Sequence, residues 1–308
     1  MAYTHEDIKG TIVPVAMPMR HDKRFDEKGA DGLVRHIVGP ENMRPHVNAL
    51  FLNGFTAEFP WTDSGMQHGM LDVALDAADG RVPVLQGVTA RTLEETKANA
   101  RYAKKAGADG IVVAPFFFYP TNRGMPDKVK EVADCFSGPV YLYVNRAVAA
   151  LGPRKNEREL KTGVLGKMFR GIPNLWGIKY SCVDLRRFRN YRAAARQKYG
   201  AKVFMGDEDK VLDSYTSSGY VPSFGNVFPE FCGSIYGLEI VGDMVAARNR
   251  MVADGRIIYC NGKKTRPGLK YALHLMGICG EAFREPVEPL TADEKEGIRQ
   301  LLKKRECI

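Results

Sequence analysis

The chain lacks the features that mark membrane, secreted and metal-dependent proteins. No apolar run among its 308 residues approaches the roughly 20 residues that a membrane helix needs. Residues 1–10 are polar and mixed in charge, so they lack the apolar core of a signal peptide. The six histidines show neither HxxxH nor HExxH spacing, so nothing in the sequence supports metal catalysis. We predict a cytoplasmic protein with no membrane segment and no metal site.

Clustered cysteines are absent as well. The six that the chain contains form no CxxC pair and are Cys135, Cys182, Cys232, Cys260, Cys279 and Cys307. A zinc site needs clustered ligands, and a disulfide scaffold is typical of short, cysteine-dense secreted chains. We therefore expect free thiols, as in a reducing compartment.

Positive charge is in excess, with a formal net charge of +9. Much of it lies in one stretch, at Arg186, Arg187, Arg189, Arg192, Arg196, Lys198 and Lys202. Such a cluster is compatible with a nucleic-acid surface or with the solvated face of a helix. Phe188, Tyr191 and Ala195 recur at three- to four-residue spacing beside the charges, which favours the solvated helix. We predict no nucleic-acid partner, although a basic field would attract anionic substrates.

Short apolar runs alternate with longer amphipathic ones along most of the chain. The predicted strands are residues 11–17, 49–53, 82–88, 110–115, 140–145, 175–180, 202–206 and 220–226. The helix-like segments between them include residues 93–106, 185–199 and 211–217. Strands that are apolar on both faces and are each followed by a helix predict a parallel sheet covered by helices. Eight such units, without a GxGxxG after the first strand, favour a closed barrel over a Rossmann sheet.

Beyond residue 226 the pattern becomes helical only. The predicted helices are residues 230–238, 241–253, 264–279 and 292–304. Pro267 makes residues 265–267 an expected break within this part. The sequence therefore predicts the α/β class, with a (β/α)8 TIM barrel over residues 1–228. Residues 229–308 would form the final barrel helix and a small helical C-terminal segment.

One lysine interrupts an apolar strand. Lys179 lies near the end of the predicted sixth strand, where a (β/α)8 barrel presents its reactive groups. Burial of a lysine is costly unless the amine is paired or neutral, and the neutral amine is the form that attacks a ketone. The position alone leaves open whether Lys179 is a nucleophile, extends to solvent or forms a buried salt bridge.

The predicted fifth strand carries two tyrosines on one face. Tyr141 and Tyr143 are two residues apart, and Tyr143 lies closer to the C-terminal end of the strand. A phenol at this position would pass protons to or from a carbinolamine. An aromatic ring that fills the barrel is the alternative for either tyrosine.

A turn after the second strand offers a receptor for a carboxylate. Gly54, Phe55 and Thr56 open towards a helix, and backbone N–H groups together with the Thr56 hydroxyl suit such an anion. A simple helix N-cap is the alternative role for Thr56. Glu58 is expected to brace this turn rather than to take part in chemistry.

Five short motifs occur in the order, and on the strands, of a known family. They are residues 54–58 after strand two, residues 107–110 before strand four, Tyr143 on strand five, Gly-Ile-Lys at residues 177–179 and Gly-Asp at residues 206–207. With these motifs the chain resembles the dihydrodipicolinate synthase/N-acetylneuraminate lyase family of Schiff-base aldolases and lyases. The resemblance runs through the predicted barrel and into the helical tail.

The resemblance implies roles for the residues at these positions. Lys179 would form an imine with a pyruvate-type 2-oxo acid, Tyr143 would shuttle the proton that lets water leave, and the Thr56 turn would hold the substrate carboxylate. The substrate pocket is assigned to Gly54, Phe55, Thr56, Phe117, Gly206 and Val221. No metal or organic cofactor is required, and the resemblance implies a homotetramer.

Departures from the family's synthases narrow the function. The hydroxyl residue before the conserved Thr is replaced by Phe55, and the tyrosine after strand four by Phe117, so the Thr–Tyr–Tyr proton relay cannot be built. The arginine that holds the second substrate's carboxylate falls near Val148, although Arg146 lies close by in the sequence. We therefore do not expect the lysine-pathway dihydrodipicolinate synthase reaction.

Phenylalanines make the predicted approach to the site apolar, unless some of them pack into the barrel or a subunit contact. They are Phe55, Phe116, Phe117 and Phe118. This favours a bulky, weakly hydroxylated aldehyde, as in the family's hydratase-aldolases, which release pyruvate from aromatic adducts. We predict a lyase that cleaves or forms a C–C bond in a 2-oxo acid, with pyruvate as product or donor and an aldehyde as the other reactant. The alternatives are a dehydratase of a ketodeoxy sugar acid and a non-catalytic paralogue that binds a 2-oxo acid.

Overall fold

The computed structural model describes residues 3–119, 121–151, 159–181, 184–197, 199–214, 217–237 and 241–308. Within these ranges no helix is long and apolar enough to cross a membrane. No group of three or more His, Cys, Asp or Glu side chains in the same ranges is placed to hold a metal ion. The cysteines in these ranges are free thiols, as expected, whereas Cys182 lies outside the described residues.

Eight short strands form a closed parallel barrel. They are β1 (Gly10–Pro14), β2 (Ala49–Leu52), β3 (Val84–Gly87), β4 (Gly110–Val113), β5 (Val140–Asn145), β6 (Leu175–Ser181), β7 (Lys202–Met205) and β8 (Gly219–Tyr220). Each strand pairs in parallel with the next, and β8 closes the barrel on β1. The predicted (β/α)8 barrel with a helical C-terminal segment is confirmed.

Helices surround the barrel and continue beyond it. The first ten are α1 (Glu27–Val38), α2 (Ser64–Ala78), α3 (Leu93–Ala106), α4 (Pro115–Phe118), α5 (Met125–Ala133), α6 (Arg146–Leu151), α7 (Thr162–Gly171), α8 (Leu185–Arg192), α9 (Val211–Ser214) and α10 (Pro229–Gly237). The C-terminal helices are α11 (Val241–Ile258), α12 (Thr265–Leu275) and α13 (Ala292–Lys304). A π-helical turn at Ala193–Gln197 follows α8, and 3-10 turns lie at Glu208–Lys210 and Ser223–Asn226.

Residue type sets the bounds of α3, which match the predicted helix over residues 93–106. The Thr92 side chain accepts a hydrogen bond from the backbone N–H of Glu95, and the Glu95 carboxylate accepts one from the N–H of Thr92. This capping box satisfies N–H groups that the first turn would otherwise leave unpaired. Gly107 ends the helix with a φ of 93°, a left-handed conformation that glycine adopts without strain.

The eighth strand is shorter than predicted. It ends at Tyr220, because Pro222 has no backbone N–H to continue the ladder. The side chain of Asn226 takes over the pairing with the first strand: its Nδ2 donates to Pro14 O, and its Oδ1 accepts from Ala16 N, both at 2.9 Å. Predicting a strand over residues 220–226 was therefore wrong for most of that length.

The part of the basic stretch that lies on α8 has the solvated face that was expected, whereas Lys202 lies on β7 and is buried. In α8 the side chains of Phe188 and Tyr191 are buried, and Ala195 of the π-helical turn is buried as well. Arg186 and Arg189 on the opposite face are exposed. Lys198 lies outside the described residues, and nothing is concluded about its side chain.

The C-terminal helices lie close to the predicted segments but differ in their ends, since α11 continues to Ile258 and α12 ends at Leu275. The expected break at residues 265–267 is instead the beginning of α12. Pro267 lies in the first turn of that helix, where its missing N–H would have had no partner within the helix. This places the side chain of Arg266 at the N-terminal end of α12.

Alternate strand residues point into the barrel or out towards the helices. Ile12 belongs to the cluster of side chains that fills the barrel interior, together with Phe51, Tyr141 and Phe204. Its neighbour Val13 belongs to the layer between strands and helices. This alternation brings the inward-pointing residues of neighbouring strands together at one end of the barrel.

Candidate active site

Lys179 points into the barrel from the C-terminal half of β6. It is the register partner of Tyr143 on β5 and of Phe204 on β7. Its Nζ lies 4.4 Å from the centroid of the Tyr143 ring and 4.9 Å from that of Phe51. The residue is only 7% exposed, so the amine does not extend into bulk water.

The surroundings of Lys179 favour the neutral amine. Burial lowers the pKa of Lys179 to about 7, although the carboxylates of Asp207 and Glu208 partly oppose this shift. Desolvation disfavours the ammonium form more than these carboxylates stabilise it. A substantial fraction of the amine is therefore unprotonated and nucleophilic near neutral pH.

Tyr143 is held beside this amine by two polar side chains. Asn145 Nδ2 donates a hydrogen bond of 2.7 Å to the phenolic oxygen, and the Ser181 side chain makes a second hydrogen bond to it. Burial raises the pKa of Tyr143 to about 12, against the opposing effect of these two contacts. The phenol is therefore protonated at neutral pH and able to donate its proton.

Tyr141 lies on the same face of β5, but deeper in the barrel. Its ring packs edge-on against Phe204 at 5.9 Å. Burial raises its pKa well above that of an ordinary tyrosine, and its hydroxyl has no hydrogen-bond partner among the described residues. Of the two tyrosines, Tyr141 fills the barrel, whereas Tyr143 is the one beside the lysine.

The turn after β2 leaves two backbone N–H groups free. The N–H groups of Ala57 and Glu58 bond to carbonyl oxygens within the turn. Those of Phe55 and Thr56 have no acceptor in the part of the chain that the structure describes. A Cβ on Gly54 would lie 2.8 Å from the Phe51 ring, so glycine permits the close approach of this turn. Adjacent free N–H groups are a receptor for an anion.

Thr56 is joined to a residue from the far end of the barrel sequence. Its Oγ1 lies 3.0 Å from Oγ of Ser223, which follows β8. Ser223 is itself held because its backbone N–H donates to Glu208 Oε1 at 2.6 Å. The Thr56 hydroxyl is thus not a helix N-cap, since Asp63 caps the helix that follows.

Glu58 braces the same turn, as expected. It is fully buried with a φ of 59°, and its Oε1 lies 2.7 Å from Nζ of Lys270 in α12. Its Oε2 accepts from the backbone N–H groups of Arg284 and Glu285 at 2.6 and 2.8 Å. The turn that carries Thr56 is therefore anchored to the C-terminal helical segment.

The residues that the resemblance places at or near the relay and arginine positions of synthases are apolar. Phe55 is half-buried and packs near Trp61, and Phe117 is buried against Phe59. Val148 is buried in the cluster that fills the barrel. Arg146 does not replace the missing arginine, since its side chain is 59% exposed and pairs with Glu159 at 3.5 Å.

The expectation that Phe116 and Phe118 line the approach to the site was wrong. Both pack in the layer between strands and helices, because the prolyl residue before them begins α4 and turns successive side chains in different directions. Phe117 alone of the three belongs to the interior cluster. Phe55 is therefore the phenylalanine of the four that is both partly exposed and packed against the interior cluster, in which Phe117 is buried.

Gly206 and Val221, assigned to the pocket from the sequence, lie near the amine. A Cβ on Gly206 would come within 1.8 Å of Ser181 Oγ, so glycine is required for Ser181 to hold its place beside Tyr143. Val221 is buried in the same interior cluster as Tyr143. The structure thus brings the sequence-predicted residues to one end of the barrel.

Two carboxyl groups follow β7. Burial raises the pKa of Asp207 to about 6, and one of its buried carboxylate oxygens has no partner among the described residues. Burial likewise raises the pKa of Glu208 to about 7, although hydrogen bonds from Tyr259 and Ser223 oppose the shift. A cleft of 580 Å³ begins at these residues and extends to α11 and Thr265. Its lining includes Gly206 but neither Lys179 nor Tyr143.

Sequence reasoning missed several residues of this site. Asn145 and Ser181 lie two residues beyond Tyr143 and Lys179, so strand periodicity would have placed them on the same inward face. Ser223 and Arg266 gave no comparable signal, because they reach the site from the end of the barrel and from the C-terminal helices.

Sequence and fold relate the chain to one group of known proteins. A sequence model of the dihydrodipicolinate synthetase family matches residues 7–305. The 4-hydroxy-tetrahydrodipicolinate synthase of Gluconacetobacter diazotrophicus is 27% identical over 304 residues, covering 96% of this chain and 96% of that protein. The enzyme of the same name from Thermus thermophilus is 28% identical over 303 residues, covering 95% of each chain.

Solved structures share the fold over nearly the full length. YagE, a prophage protein of the dihydrodipicolinic acid synthase family from E. coli K12 in complex with pyruvate, superposes with a TM-score of 0.84 at 23% identity, covering 98% of this chain and 99% of that chain. Acinetobacter baumannii dihydrodipicolinate synthase complexed with pyruvate superposes with a TM-score of 0.84 at 24% identity, covering 98% of this chain and 100% of that chain. These likenesses establish the barrel architecture.

Proposed function

The chain belongs to the dihydrodipicolinate synthetase family of class I aldolases and lyases, and from this premise we propose that it is a pyruvate-type lyase acting through a Schiff base at Lys179. It would cleave or form a C–C bond in a 2-oxo acid, with pyruvate as product or donor and an aldehyde as the other reactant. The substrate's own carbonyl and the lysine supply the chemistry, so no metal or organic cofactor enters the reaction.

The observation that carries this proposal is the position of one amine. Lys179 Nζ is buried, has a pKa of about 7 and lies 4.4 Å from the centre of the Tyr143 ring. An amine nucleophile and a protonated phenol on adjacent strands are the two groups that imine formation needs. Pyruvate bound in the related E. coli and A. baumannii proteins supports a 2-oxo acid as the ligand.

In the first step, the neutral amine attacks the 2-oxo carbon and forms a carbinolamine. Tyr143 then donates its proton to the carbinolamine oxygen, which leaves as water, and a protonated imine remains. Asn145 donates to the phenolic oxygen and Ser181 hydrogen-bonds to it, so both stabilise the phenolate that forms.

In the second step, the protonated imine accepts the electron pair of the breaking C3–C4 bond. The Tyr143 phenolate left by the first step accepts the proton of the C4 hydroxyl, whose oxygen becomes the carbonyl of the departing aldehyde, and an enamine remains on Lys179. Protonation of the enamine carbon and addition of water return pyruvate and the free amine. The synthetic direction reverses these steps, with the enamine attacking the aldehyde.

The Thr56 turn would hold the pyruvate-derived carboxylate. The free N–H groups of Phe55 and Thr56 and the Thr56 hydroxyl support this role. Binding at this turn would fix the 2-oxo carbon relative to the amine. Holding two reacting groups in the correct orientation contributes much of the rate enhancement of such a reaction.

The aldehyde half is proposed to be bulky and weakly hydroxylated, as in hydratase-aldolases. Phe55 and Phe117 occupy the positions of the relay hydroxyls of lysine-pathway synthases, and Val148 occupies that of their arginine. These replacements argue against the lysine-pathway reaction, although relatives at 27% and 28% identity carry the synthase name. The pocket residues Gly54, Gly206 and Val221 would shape the space around the reacting carbons.

One observation favours a second candidate, the dehydration of a ketodeoxy sugar acid. Asp207 and Glu208 bring carboxyl groups to the cleft, and Tyr259, which also lines it, brings a hydroxyl group. Such groups suit a hydroxylated substrate better than an aromatic one. The two candidates share the imine at Lys179 and differ in whether a C–C or a C–O bond breaks.

The test begins with pyruvate and borohydride, followed by mass spectrometry of the intact protein. We expect a covalent adduct on the wild type and none on Lys179→Ala. Exchange of the pyruvate methyl protons in deuterated water then reports enamine formation, which a non-catalytic paralogue would not support. Equal labelling of wild type and Lys179→Ala would remove the assignment. Product analysis with aromatic aldehydes and with a ketodeoxy sugar acid separates the two candidate reactions.

A homotetramer and a cytoplasmic location form part of the same proposal. The family resemblance supports the tetramer, and the free thiols of the described residues suit a reducing compartment. Sedimentation velocity of the purified protein and fractionation of the producing cells are the direct measurements.

A further inference from the structure

The guanidinium of Arg266, a residue of the C-terminal helix α12, lies beside the candidate active site. Arg266 lies at the start of α12, and its side chain is only 14% exposed. The guanidinium carbon lies 4.5 Å from the centroid of the Phe55 ring. It is also close enough to influence the Tyr143 phenol electrostatically. This arginine therefore borders the substrate space next to both residues.

Glu285 fixes the orientation of this guanidinium. Its carboxylate accepts hydrogen bonds from Nε and Nη2 of Arg266, one oxygen to each nitrogen. The backbone N–H of Glu285 donates to Glu58 Oε2 at 2.8 Å, so the pair is tied to the brace of the Thr56 turn. A two-point contact of this kind defines the plane of the guanidinium as well as its position.

One edge of the guanidinium stays available. Nη1 of Arg266 donates no hydrogen bond to any residue in the described ranges, although an arginine offers five N–H donors. The Phe55 ring lies against the guanidinium, and Glu285 occupies the Nε and Nη2 edge. The remaining donors are free to meet a ligand that enters beside Phe55.

A structural role alone explains this arrangement poorly. Desolvation of a buried ion pair commonly cancels its attraction, so such a pair is weak evidence for stability. The positions that carry a substrate-binding arginine in synthases are also empty of charge here, because Val148 is apolar and Arg146 faces Glu159. Arg266 is the arginine that the structure places against Phe55.

We propose that Arg266 binds an anionic group, a carboxylate in the simplest case, on the aldehyde half of the substrate. This inference rests on the proposed function, in which the Thr56 turn takes the pyruvate-derived carboxylate. The full substrate is then a dianion, with one carboxylate at each end and an apolar or aromatic segment between them. The Phe55 ring packs against that segment, and the Nη1 edge of Arg266 binds the second anion.

The experiment compares matched aldehydes in condensation with pyruvate. Benzaldehyde is the neutral probe, and the three carboxybenzaldehyde isomers are the anionic probes of nearly the same shape. Consumption of the aldehyde and formation of the 4-hydroxy-2-oxo acid are followed by liquid chromatography, and exchange of the pyruvate methyl protons is measured separately. The variants are Arg266→Met, which removes the charge, and Arg266→Lys, which retains a charge but lacks the planar guanidinium with its paired N–H donors. Arg299→Met, on the outer helix α13, is the matched control.

We expect the wild type to use at least one carboxybenzaldehyde with a higher kcat/KM than benzaldehyde. Arg266→Met should lower kcat/KM for that isomer by about 10- to 100-fold, the range for loss of a charged hydrogen bond. Its losses with benzaldehyde and in pyruvate exchange should be clearly smaller than its loss with that isomer, because neither of these probes presents a second anion to Arg266. For that isomer, the kcat/KM of Arg266→Lys should lie between those of the wild type and Arg266→Met. Arg299→Met should have the kcat/KM of the wild type.

Three outcomes would overturn the inference. A wild type without preference for any anionic aldehyde does so without needing a variant to fold. Equal losses with neutral and anionic aldehydes in Arg266→Met would assign the arginine a structural role, and loss of pyruvate exchange would place it at the pyruvate carboxylate. Absence of exchange in the wild type itself would instead refute the proposed function, and this inference with it.

Discussion

Tyr143 and Lys179 are register partners on neighbouring parallel strands, and the lysine amine lies 4.4 Å from the centre of the tyrosine ring. In parallel strands, side chains paired in this way point to the same face of the sheet. The phenol and the amine are therefore held by the rigid barrel rather than by a loop. Their relative position depends on strand pairing, which single substitutions of either side chain should leave intact.

Replacing Tyr143 with Phe should lower kcat by about 100- to 10,000-fold, the usual contribution of a positioned acid–base group. KM for pyruvate should change little, because the carboxylate turn is untouched. Tyr141→Phe is the control, since its hydroxyl has no partner among the described residues. The measurement is the steady-state kinetics of both variants. A similar loss of kcat in Tyr143→Phe and Tyr141→Phe would mean that Tyr143 is not the proton donor.

The rate of imine formation should rise with pH. The pKa of Lys179 is about 7, and the neutral amine is the nucleophile, so the reactive fraction grows as pH increases through 7 and then levels off. The pKa of Tyr143, about 12, keeps the phenol protonated over this range. The measurement is the initial rate of pyruvate trapping by cyanoborohydride between about pH 5.5 and 9, corrected for the reagent's own pH dependence. A midpoint above about 9 would show that the amine is an ordinary solvated lysine.

Local patterns in the sequence were enough to predict the elements that local rules define. The bounds of β5, α3 and α13 match the prediction, because strand alternation, capping residues and terminal glycines are all contained in short stretches. The prediction of the eighth strand was wrong because the pairing there involves a residue from a distant part of the sequence. Beyond Tyr220, where Pro222 ends the strand, the pairing with β1 is taken over by the side chain of Asn226, which bonds to Pro14, a residue 212 positions away.

The same distinction applies to the candidate site. Lys179 and Tyr143 could be predicted because each lies on a strand whose end faces the mouth of the barrel. Ser223 bonds to Thr56 across 167 positions, and Arg266 arrives from α12. Nothing within the sequence near Thr56 specifies either partner, so only the folded chain brings them together.

Gly206→Ala should impair both stability and catalysis, because the new Cβ would lie 1.8 Å from Ser181 Oγ. We expect a loss of about 1–3 kcal/mol in the free energy of unfolding, as is common for overpacking. Displacing Ser181 from Tyr143 should also lower kcat, by about tenfold or more. Denaturant unfolding and steady-state kinetics measure the two effects.

A second substitution separates the two effects. Adding Ser181→Ala to Gly206→Ala should recover only part of the stability, since the contact with Ser181 Oγ is gone but those at 2.9 Å with the residue 181 Cβ and Tyr180 O remain. It should not recover kcat, since the hydrogen bond to Tyr143 is gone too. Gly163→Ala in α7 is the control, because its Cβ would meet nothing within 4 Å. Full recovery of kcat in the double variant would show that the Ser181 contact does not matter for catalysis.

Breaking the buried pair of Lys270 and Glu58, which joins the Thr56 turn to α12, should be strongly destabilising, because the remaining charge would be buried without a partner. Their side chains are 1% and 0% exposed, and Nζ lies 2.7 Å from Oε1. Lys270→Met leaves a buried carboxylate without its cation, for which we expect a loss of about 3–5 kcal/mol. The exposed pair Lys295–Glu281, at 3.0 Å, is the control, and Lys295→Met should cost less than about 1 kcal/mol. Urea unfolding of Lys270→Met, Glu58→Gln and the double variant gives the coupling energy. A coupling near zero would mean that the turn is held by its backbone hydrogen bonds alone.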